Sequence, residues 1–301
     1  AHTTWGPQKI RALYLRAHRG SGPSLSTVKR VLERAGMVKK RKKRRVTPSG
    51  RIHSERKAEK PNEVWTVDFK GWWRDPHGKR CEPLTIRDEF SRYVLCVDRT
   101  ADGRTETVKQ SFQRVFERHG LPGAIRSDNG SPFACAHALL GLSQLSVWWV
   151  ALGIGLERSR PGCPQDNGGH ERMHLDIERE LAGMQSDQAA FDQWREIFNH
   201  ERPHQSLADR TPSEVYEDSS RAFEGTPEDL DYDGMPSRRV QKTGVFRYQG
   251  NQVFLSSSLR GWSVGLKPHD AQHEEIYFGD LLLGRVESAT GFFIQAGTGL
   301  N

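Results

Sequence analysis

The sequence predicts a multidomain protein with a mixed α/β core, a sheet covered by helices, between a small helical region and a small all-β barrel. Three observations carry this. Apolar residues recur at helical spacing within the first forty residues, strands and helices alternate from Asn62 to about 216, and beyond 237 only short, turn-separated strands remain. At 301 residues the chain can bury more than one core, and 35% apolar with 28% charged residues suits a globular protein.

Pro7 to Ala17 sets Ile10, Leu13, Tyr14 and Ala17 at helical spacing. Gly20 to Pro23 breaks that helix, and Ser24 precedes a second one bearing Val28, Val31 and Leu32, stopped by Gly36. With Lys29, Arg30 and Arg34 on the open face, residues 1–38 fit a helix-turn-helix of the DNA-binding kind; an ordinary helical hairpin is the bland alternative. Lys39, Lys40, Arg41, Lys42, Lys43, Arg44 and Arg45 follow without an acid among them, and these seven equal the net charge of +7. A solvated segment and a phosphate-binding arm are compatible readings of such a run. Residues 39–60 are therefore expected to be a basic linker that favours nucleic acid over a membrane surface, since no apolar face accompanies the charges.

The core is expected over residues 61–216. Val64 to Phe69, Leu84 to Ile86 and Tyr93 to Val97 read as strands, Thr105 to His119 as a helix with Val108, Phe112, Val115 and Phe116 on one face, and Ala124 to Ser127 as a strand. Leu145 to Leu152 reads as helical, Gly155 to Glu157 as a further strand, and helices are expected from about His170 and over Gln188 to His200. Residues 217–237 are acidic, contain Pro227, Gly234 and Pro236, and read as a second linker. Residues 238–301 hold six short strands with hairpin turns at Gln249-Gly250 and Gly279-Asp280, and Arg238, Arg239, Lys242, Arg247 and Arg260 make its early part basic. This module is expected to fold independently and to contact DNA or a neighbouring subunit. Trp72-Trp73 and Trp148-Trp149 suit a core or a partner surface.

No stretch approaches the eighteen or so apolar residues that a membrane helix needs, and no signal-peptide pattern opens the chain. Cys81, Cys96, Cys135 and Cys163 lack metal or redox spacing, so a reducing cytoplasmic setting is expected. The first residue is Ala1 rather than Met, which leaves room for upstream sequence.

Three acids stand where carboxylates are costly unless they bind something. Asp68 ends the apolar run Val64-Trp65-Thr66-Val67, Asp128 ends the strand Ala124-Ile125-Arg126-Ser127, and Glu171 lies in the first turn of a helix. Cutting or rejoining a phosphodiester needs an aligned nucleophile and a counter-charge, which two divalent ions roughly 3.5–4 Å apart supply. Magnesium is held by a few carboxylates on a rigid frame. Singly, a strand-end Asp is usually a turn residue and a first-turn Glu usually serves the helix dipole.

Trp65-Thr66-Val67-Asp68, Ser127-Asp128-Asn129-Gly130 and Asp166-Asn167-Gly168-Gly169-His170-Glu171 resemble, in order, the three signatures of the integrase core shared by retroviral-type integrases and bacterial insertion-sequence transposases. Asn199 to Leu207, followed by Thr211-Pro212, is similar to the tail of that core. The tail and Glu171 to His174 look closest to the IS3/IS481 transposases. The resemblance covers about residues 61–216. It implies an RNase H-like core, a DDE transposase with Asp68, Asp128 and Glu171 as catalytic metal ligands, and dependence on Mg²⁺ with Mn²⁺ as substitute. It further implies double-stranded transposon-end and target DNA as partners, strand cleavage and strand transfer by a homo-multimer on paired ends, and a bacterial, nucleoid-associated setting without a membrane; a helper ATPase is a compatible further partner. Flanking helix-turn-helix and small-barrel modules are familiar in this superfamily.

Two departures from the pattern stand out. Forty-two residues, 129 to 170, separate Asp128 from Glu171, more than usual, which predicts an insertion around Ala134 to Leu145 as a loop over the site or a partner contact. Arg126 replaces the usual His and is expected, with Arg172, to contact phosphate. His170-Glu171-Arg172-Met173-His174 also satisfies H-E-x-x-H, the zinc metalloprotease pattern, with Glu196 as a conceivable third ligand. That reading leaves Asp68, Asp128 and the basic arm unexplained. A structure-selective nuclease or resolvase would carry the same core, and a regulator on a dead core would have lost a carboxylate.

Overall fold

The computed structural model describes residues 4–37, 57–78, 80–100, 102–159, 168–181 and 187–297. The basic run Lys39 to Arg45 and the signature residues Asp166 and Asn167 lie outside them.

A five-stranded mixed sheet forms the centre. Strands β1 (Val64–Phe69), β4 (Leu84–Asp88) and β5 (Val94–Asp98) make an antiparallel meander, with the small hairpin β2 (Trp73–Arg74) and β3 (Arg80–Cys81) inserted in it. Beyond helix α3 (Thr105–His119), β6 (Ala124–Ser127) returns parallel to β1, and after α4 (Gln144–Ala151), β7 (Gly155–Arg158) returns parallel to β6. The strand order β5-β4-β1-β6-β7 with covering helices is an RNase H-like arrangement. Helix α3 forms because Val108, Phe112, Val115 and Phe116 recur on one face, and all four are buried against the sheet. It ends at Gly120, which takes φ 74° and lies so close to the 219–221 backbone that a Cβ there would meet Arg221 O at 2.6 Å. Helices α5 (Gly168–Leu181) and α6 (Gln188–His200) cover the other face, where Met173, Ile177, Phe191, Trp194 and Phe198 pack with Val94 and Val97.

Two helices, α1 (Pro7–Ala17) and α2 (Leu25–Arg34), precede this core. Pro7 opens the first, and Ser24 caps the second by accepting from Thr27 N–H at 3.2 Å.

Downstream, β8 (Ser237–Arg239), β11 (Ser263–Pro268), β12 (His273–Phe278), β13 (Leu281–Glu287) and β14 (Phe293–Gln295) form an antiparallel sheet, while β9 (Val245–Tyr248) and β10 (Asn251–Phe254) form a separate hairpin over the same apolar core. Where a closed barrel is expected, the hydrogen-bonded ladder stays open between β14 and β8.

Two other expectations change. The segment 217–237 is docked on the core rather than spanning freely. Ser219 Oγ donates to Leu121 O at 2.6 Å, Arg221 donates to Pro122, Leu152 and Gly153 carbonyls at 2.6–3.0 Å, Phe223 packs on Phe116, and Trp148 Nε1 donates to Thr226 at 2.8 Å. The insertion around 134–145 turns its apolar residues to the carboxy-terminal strands: Leu139 and Leu142 are buried with Val147 and Ala151 against Val240, Phe246 and Leu259. Helix α4 is therefore apolar all round, because Trp148 and Trp149 face the central sheet while Val147 and Ala151 face the carboxy-terminal one. Among the described residues no helix is long and apolar enough to cross a membrane.

Candidate active site

The parallel pairing of β1 and β6 positions the first two acids. Thr66 lies opposite Arg126, so two residues further along each strand Asp68 and Asp128 emerge side by side at the carboxyl end of the sheet. Helix α5 brings the third: Glu171 sits exposed in its first turn, and the carboxylates of both Asp128 and Glu171 act on Asp68. The Asp68 carboxyl is pushed up to about 7, first by burial, then by Asp128, and by Glu171 to a lesser degree, against a hydrogen bond from the Phe69 backbone. Asp128 is exposed and caps its own turn by accepting from Gly130 N–H at 3.0 Å.

The frame around these acids is more specific than the strand ends alone. Arg158, at the end of β7, donates to Ser127 Oγ at 2.7 Å and to Phe133 O at 2.9 Å, pinning both sides of the turn that carries Asp128. Burial lowers its pKa to about 10, still a cation at neutral pH, and Asp128 opposes that shift. Helix α5 is braced at its middle by buried Arg202, whose guanidinium lies 2.7 Å from Asp176 and 3.3 Å from Glu180. At its start Gly169 rests on Arg87: a Cβ there would stand 2.0 Å from the Arg87 guanidinium, so a larger residue would displace that buried side chain or the start of the helix. Arg87 is itself buried and paired with Glu89.

On the inner side of α5, His170, next to Glu171, and His174, one turn further on, are buried. His170 bonds Thr66 Oγ1 at 2.7 Å and Thr85 Oγ1 at 3.2 Å, one through each ring nitrogen, and His174 bonds Thr85 Oγ1 through Nε2 at 2.8 Å. Asp68, His170 and His174 each bring one possible ligand atom within 4.8 Å of the others. Burial lowers the His170 pKa well below its usual value and that of His174 to about 3, so both rings are neutral at physiological pH. The H-E-x-x-H spacing thus does put two imidazoles on one helical face, but both nitrogens of the first are engaged by threonines.

The expected DNA contacts fare unevenly. Lys29, Arg30 and Arg34 are exposed on α2, Lys29 lying 3.9 Å from Glu33. Arg172 is exposed beside Glu171 and 3.7 Å from Asp176. Arg126 is a correction: it is 5% exposed, and its Nε and Nη2 both donate to Glu157 Oε2, at 3.0 and 2.7 Å, so its guanidinium is turned into the sheet. The β6–β7 register sets Arg126 opposite Glu157, a partner that nothing local to Arg126 in the sequence announces. Arg158 and Arg202 were missed; the only sequence signal was their position, at a strand end beside Asp128 and in the tail motif.

Two models described as integrase core domain match residues 58–164 and 152–212. The chain is 28% identical over 222 residues to an uncharacterized 31.7 kDa protein of insertion element IS407 from Burkholderia multivorans, covering 70% of this chain and 74% of that one. It is 26% identical over 223 residues to an uncharacterized 39.2 kDa protein of insertion element IS476 from Xanthomonas euvesicatoria, of which it spans 60%. Among solved structures, the catalytic core domain of BIV integrase matches with 23% identity and a TM-score of 0.41, over 52% of this chain and 93% of that one. A chain of the simian T-cell lymphotropic virus intasome matches with 15% identity and a TM-score of 0.46, over 97% and 99%.

Proposed function

Because this chain belongs to the DDE transposases and integrases, polynucleotidyl transferases of DNA integration, we propose that it binds transposon-end DNA and catalyses strand cleavage and strand transfer through Asp68, Asp128 and Glu171. The observation that carries this reading is the placement of Asp68 and Asp128 at the ends of the paired strands β1 and β6, with Glu171 in the first turn of α5 beside them. Burial and then the neighbouring carboxylates raise the Asp68 carboxyl to about 7, and three carboxylates gathered at one place suit a divalent ion, magnesium with manganese as substitute. Divalent ions bound there would lower the pKa of the attacking hydroxyl and offset charge on the phosphorane-like transition state.

The chain's own residues hold that geometry. Asp68 is fixed by the sheet, Asp128 by Arg158 on its turn, and Glu171 by a helix braced through Arg202 and seated on Arg87. Residues 1–38, the arm 39–45 and the module 238–301 are assigned to DNA or subunit contacts, with Lys29, Arg30, Arg34 and Arg172 on exposed faces and the seven cations of the arm neutralising phosphates. A homo-multimer on paired ends, a helper ATPase and association with the nucleoid belong to the same proposal.

The test replaces charge without changing shape. Asp68→Asn, Asp128→Asn and Glu171→Gln should each retain folding and end binding while cleavage and strand transfer fall together, because one site serves both steps. Glu178→Gln, which only removes the partner 3.1 Å from Lys70, should cost far less. Full strand transfer by Glu171→Gln in Mg²⁺ removes that residue from the site.

A further inference from the structure

The hydrogen bonds beneath Asp68 have a direction that assigns the tautomers of both buried histidines. A carbonyl only accepts, so the single hydrogen of the Thr85 hydroxyl goes to Asp68 O at 2.9 Å. The Thr85 oxygen then serves as acceptor to both imidazoles, receiving Nε2–H of His174 at 2.8 Å and Nδ1–H of His170 at 3.2 Å. His170 Nε2 consequently accepts from the Thr66 hydroxyl at 2.7 Å, a much shorter contact than the 3.5 Å from that hydroxyl to Arg87 O, and Thr66 in turn accepts from Arg87 Nε at 3.2 Å. The chain Arg87, Thr66, His170, Thr85, Asp68 O is complete, and it uses both nitrogens of His170.

His174 is left differently. Its Nε2 carries the hydrogen given to Thr85, so its Nδ1 holds a lone pair, and that nitrogen faces Asp68 Oδ2 at 4.0 Å. The spacing exceeds a hydrogen bond but lies within the roughly 4.2 Å that two metal–ligand bonds of about 2.0–2.2 Å can span. The ring cannot turn away without breaking its bond to Thr85, and α5 is tied to the core by the Arg202 ion pairs to Asp176 and Glu180. Of the cations that act on His174, Lys70 is paired with Glu178 at 3.1 Å and Arg87 with Glu89.

We propose that His174 Nδ1 is a ligand of the metal site at Asp68, giving that position one nitrogen donor and a preference for borderline ions such as Mn²⁺ or Zn²⁺ over Mg²⁺ and Ca²⁺. Imidazole suits manganese and zinc, whereas magnesium and calcium keep oxygen shells. His170, its neighbour in H-E-x-x-H, is not a ligand but the hydrogen-bonded post that fixes Thr85 and so His174. This rests on the metal-site reading of Asp68 above.

The test is pulsed EPR of Mn²⁺ on the full chain without DNA, read as nitrogen coupling to the bound ion. The wild-type protein should show imidazole ¹⁴N modulation that changes to the ¹⁵N pattern when histidine is isotopically labelled, which needs no variant to fold. His174→Ala should abolish the modulation and weaken Mn²⁺ binding on the order of tenfold while leaving Ca²⁺ binding nearly unchanged; His170→Gln should keep the modulation. Mn²⁺ that binds, is lost in Asp68→Asn, and shows no histidine nitrogen overturns the assignment of His174 alone. Mn²⁺ that Asp68→Asn does not weaken overturns the metal-site reading itself.

Discussion

At the amino end, α1 and α2 bury only Ala12 and Val28 of their own residues and reach the core through polar groups: Arg16 to Glu214 at 2.8 Å and to Asp209 O at 2.9 Å, Gln8 to Asp209 at 3.4 Å, Thr4 to Glu180 at 2.6 Å. Trp5, under the Arg202 guanidinium at 5.8 Å, is the main apolar anchor. At the carboxyl end, the sheet buries Phe246, Leu259, Ile276 and Phe278 in one apolar core with Leu139, Leu142, Val147 and Ala151 of the central domain. Polar contacts between exposed groups contribute little and exchange with water, whereas a shared apolar core can be separated only by exposing it. The helix pair is thus built to be redirected, and the carboxy-terminal sheet to stay with α4, three residues of which, Leu145, Trp148 and Trp149, also close the central core.

The comparison breaks most visibly at Val147. It is fully buried between the two sheets, and Val147→Asp would place a carboxylate there without a partner, at a cost above about 3 kcal/mol. Denaturant unfolding followed by Trp148 and Trp149 fluorescence and by a probe on the carboxy-terminal sheet should move together to lower midpoint. Residues 238–301 alone should lack a cooperative transition, because Leu139, Leu142, Val147 and Ala151 are missing from their core. A sharp transition in that fragment would restore the independent module that the turn-separated strands suggest.

A smaller effect belongs to the strap between the two cores. Arg221 ties three carbonyls at the ends of α3 and α4, yet the residue is exposed, so Arg221→Ala should cost about 1–2 kcal/mol rather than the full strength of three charged hydrogen bonds. Urea midpoints of the variant and of Arg221→Lys measure it; the lysine should recover only part, since a point charge cannot fork to Pro122 and Leu152 together.

These contrasts show which features were legible. The bounds of α3 and α6 follow from apolar residues that repeat on one face, a local signal, and the order of the three acids follows from strand-end and helix-start patterns that are equally local. The docking of 217–237 was hidden because its partners are backbone carbonyls, which have no sequence signature, so a polar, proline-containing segment read as a linker. Strand β8, Ser-Arg-Arg with all three residues exposed, offers no alternation to detect. Arg126 suggested a phosphate ligand because Glu157 becomes its partner only through a parallel register made thirty-one residues later. The insertion was visible as extra length, but its destination depended on a second apolar surface far along the chain.

The smallest effect is expected at Arg16, where the helix pair meets the 209–214 turn. The pair is more than a third exposed on both sides, so Arg16→Ala should change global stability by no more than about 1 kcal/mol. What should change is local: amide exchange in α1 and α2 should speed up while that of β1 and α3 stays put, and rising salt should mimic the variant in the wild-type chain. Acid should act through a different route. The Glu214 carboxyl is held below its usual range chiefly by the Thr211 backbone N–H, at 2.6 Å, and only then by Arg16. A lowered folded-state pKa contributes stability above the unfolded value of 4.5, lost as pH falls through the folded one, so most of this acid sensitivity should persist in Arg16→Ala and disappear in Glu214→Gln. If Arg16→Ala instead unfolded the central sheet, the amino-terminal helices would be part of that core, and the two ends of the chain would be attached alike.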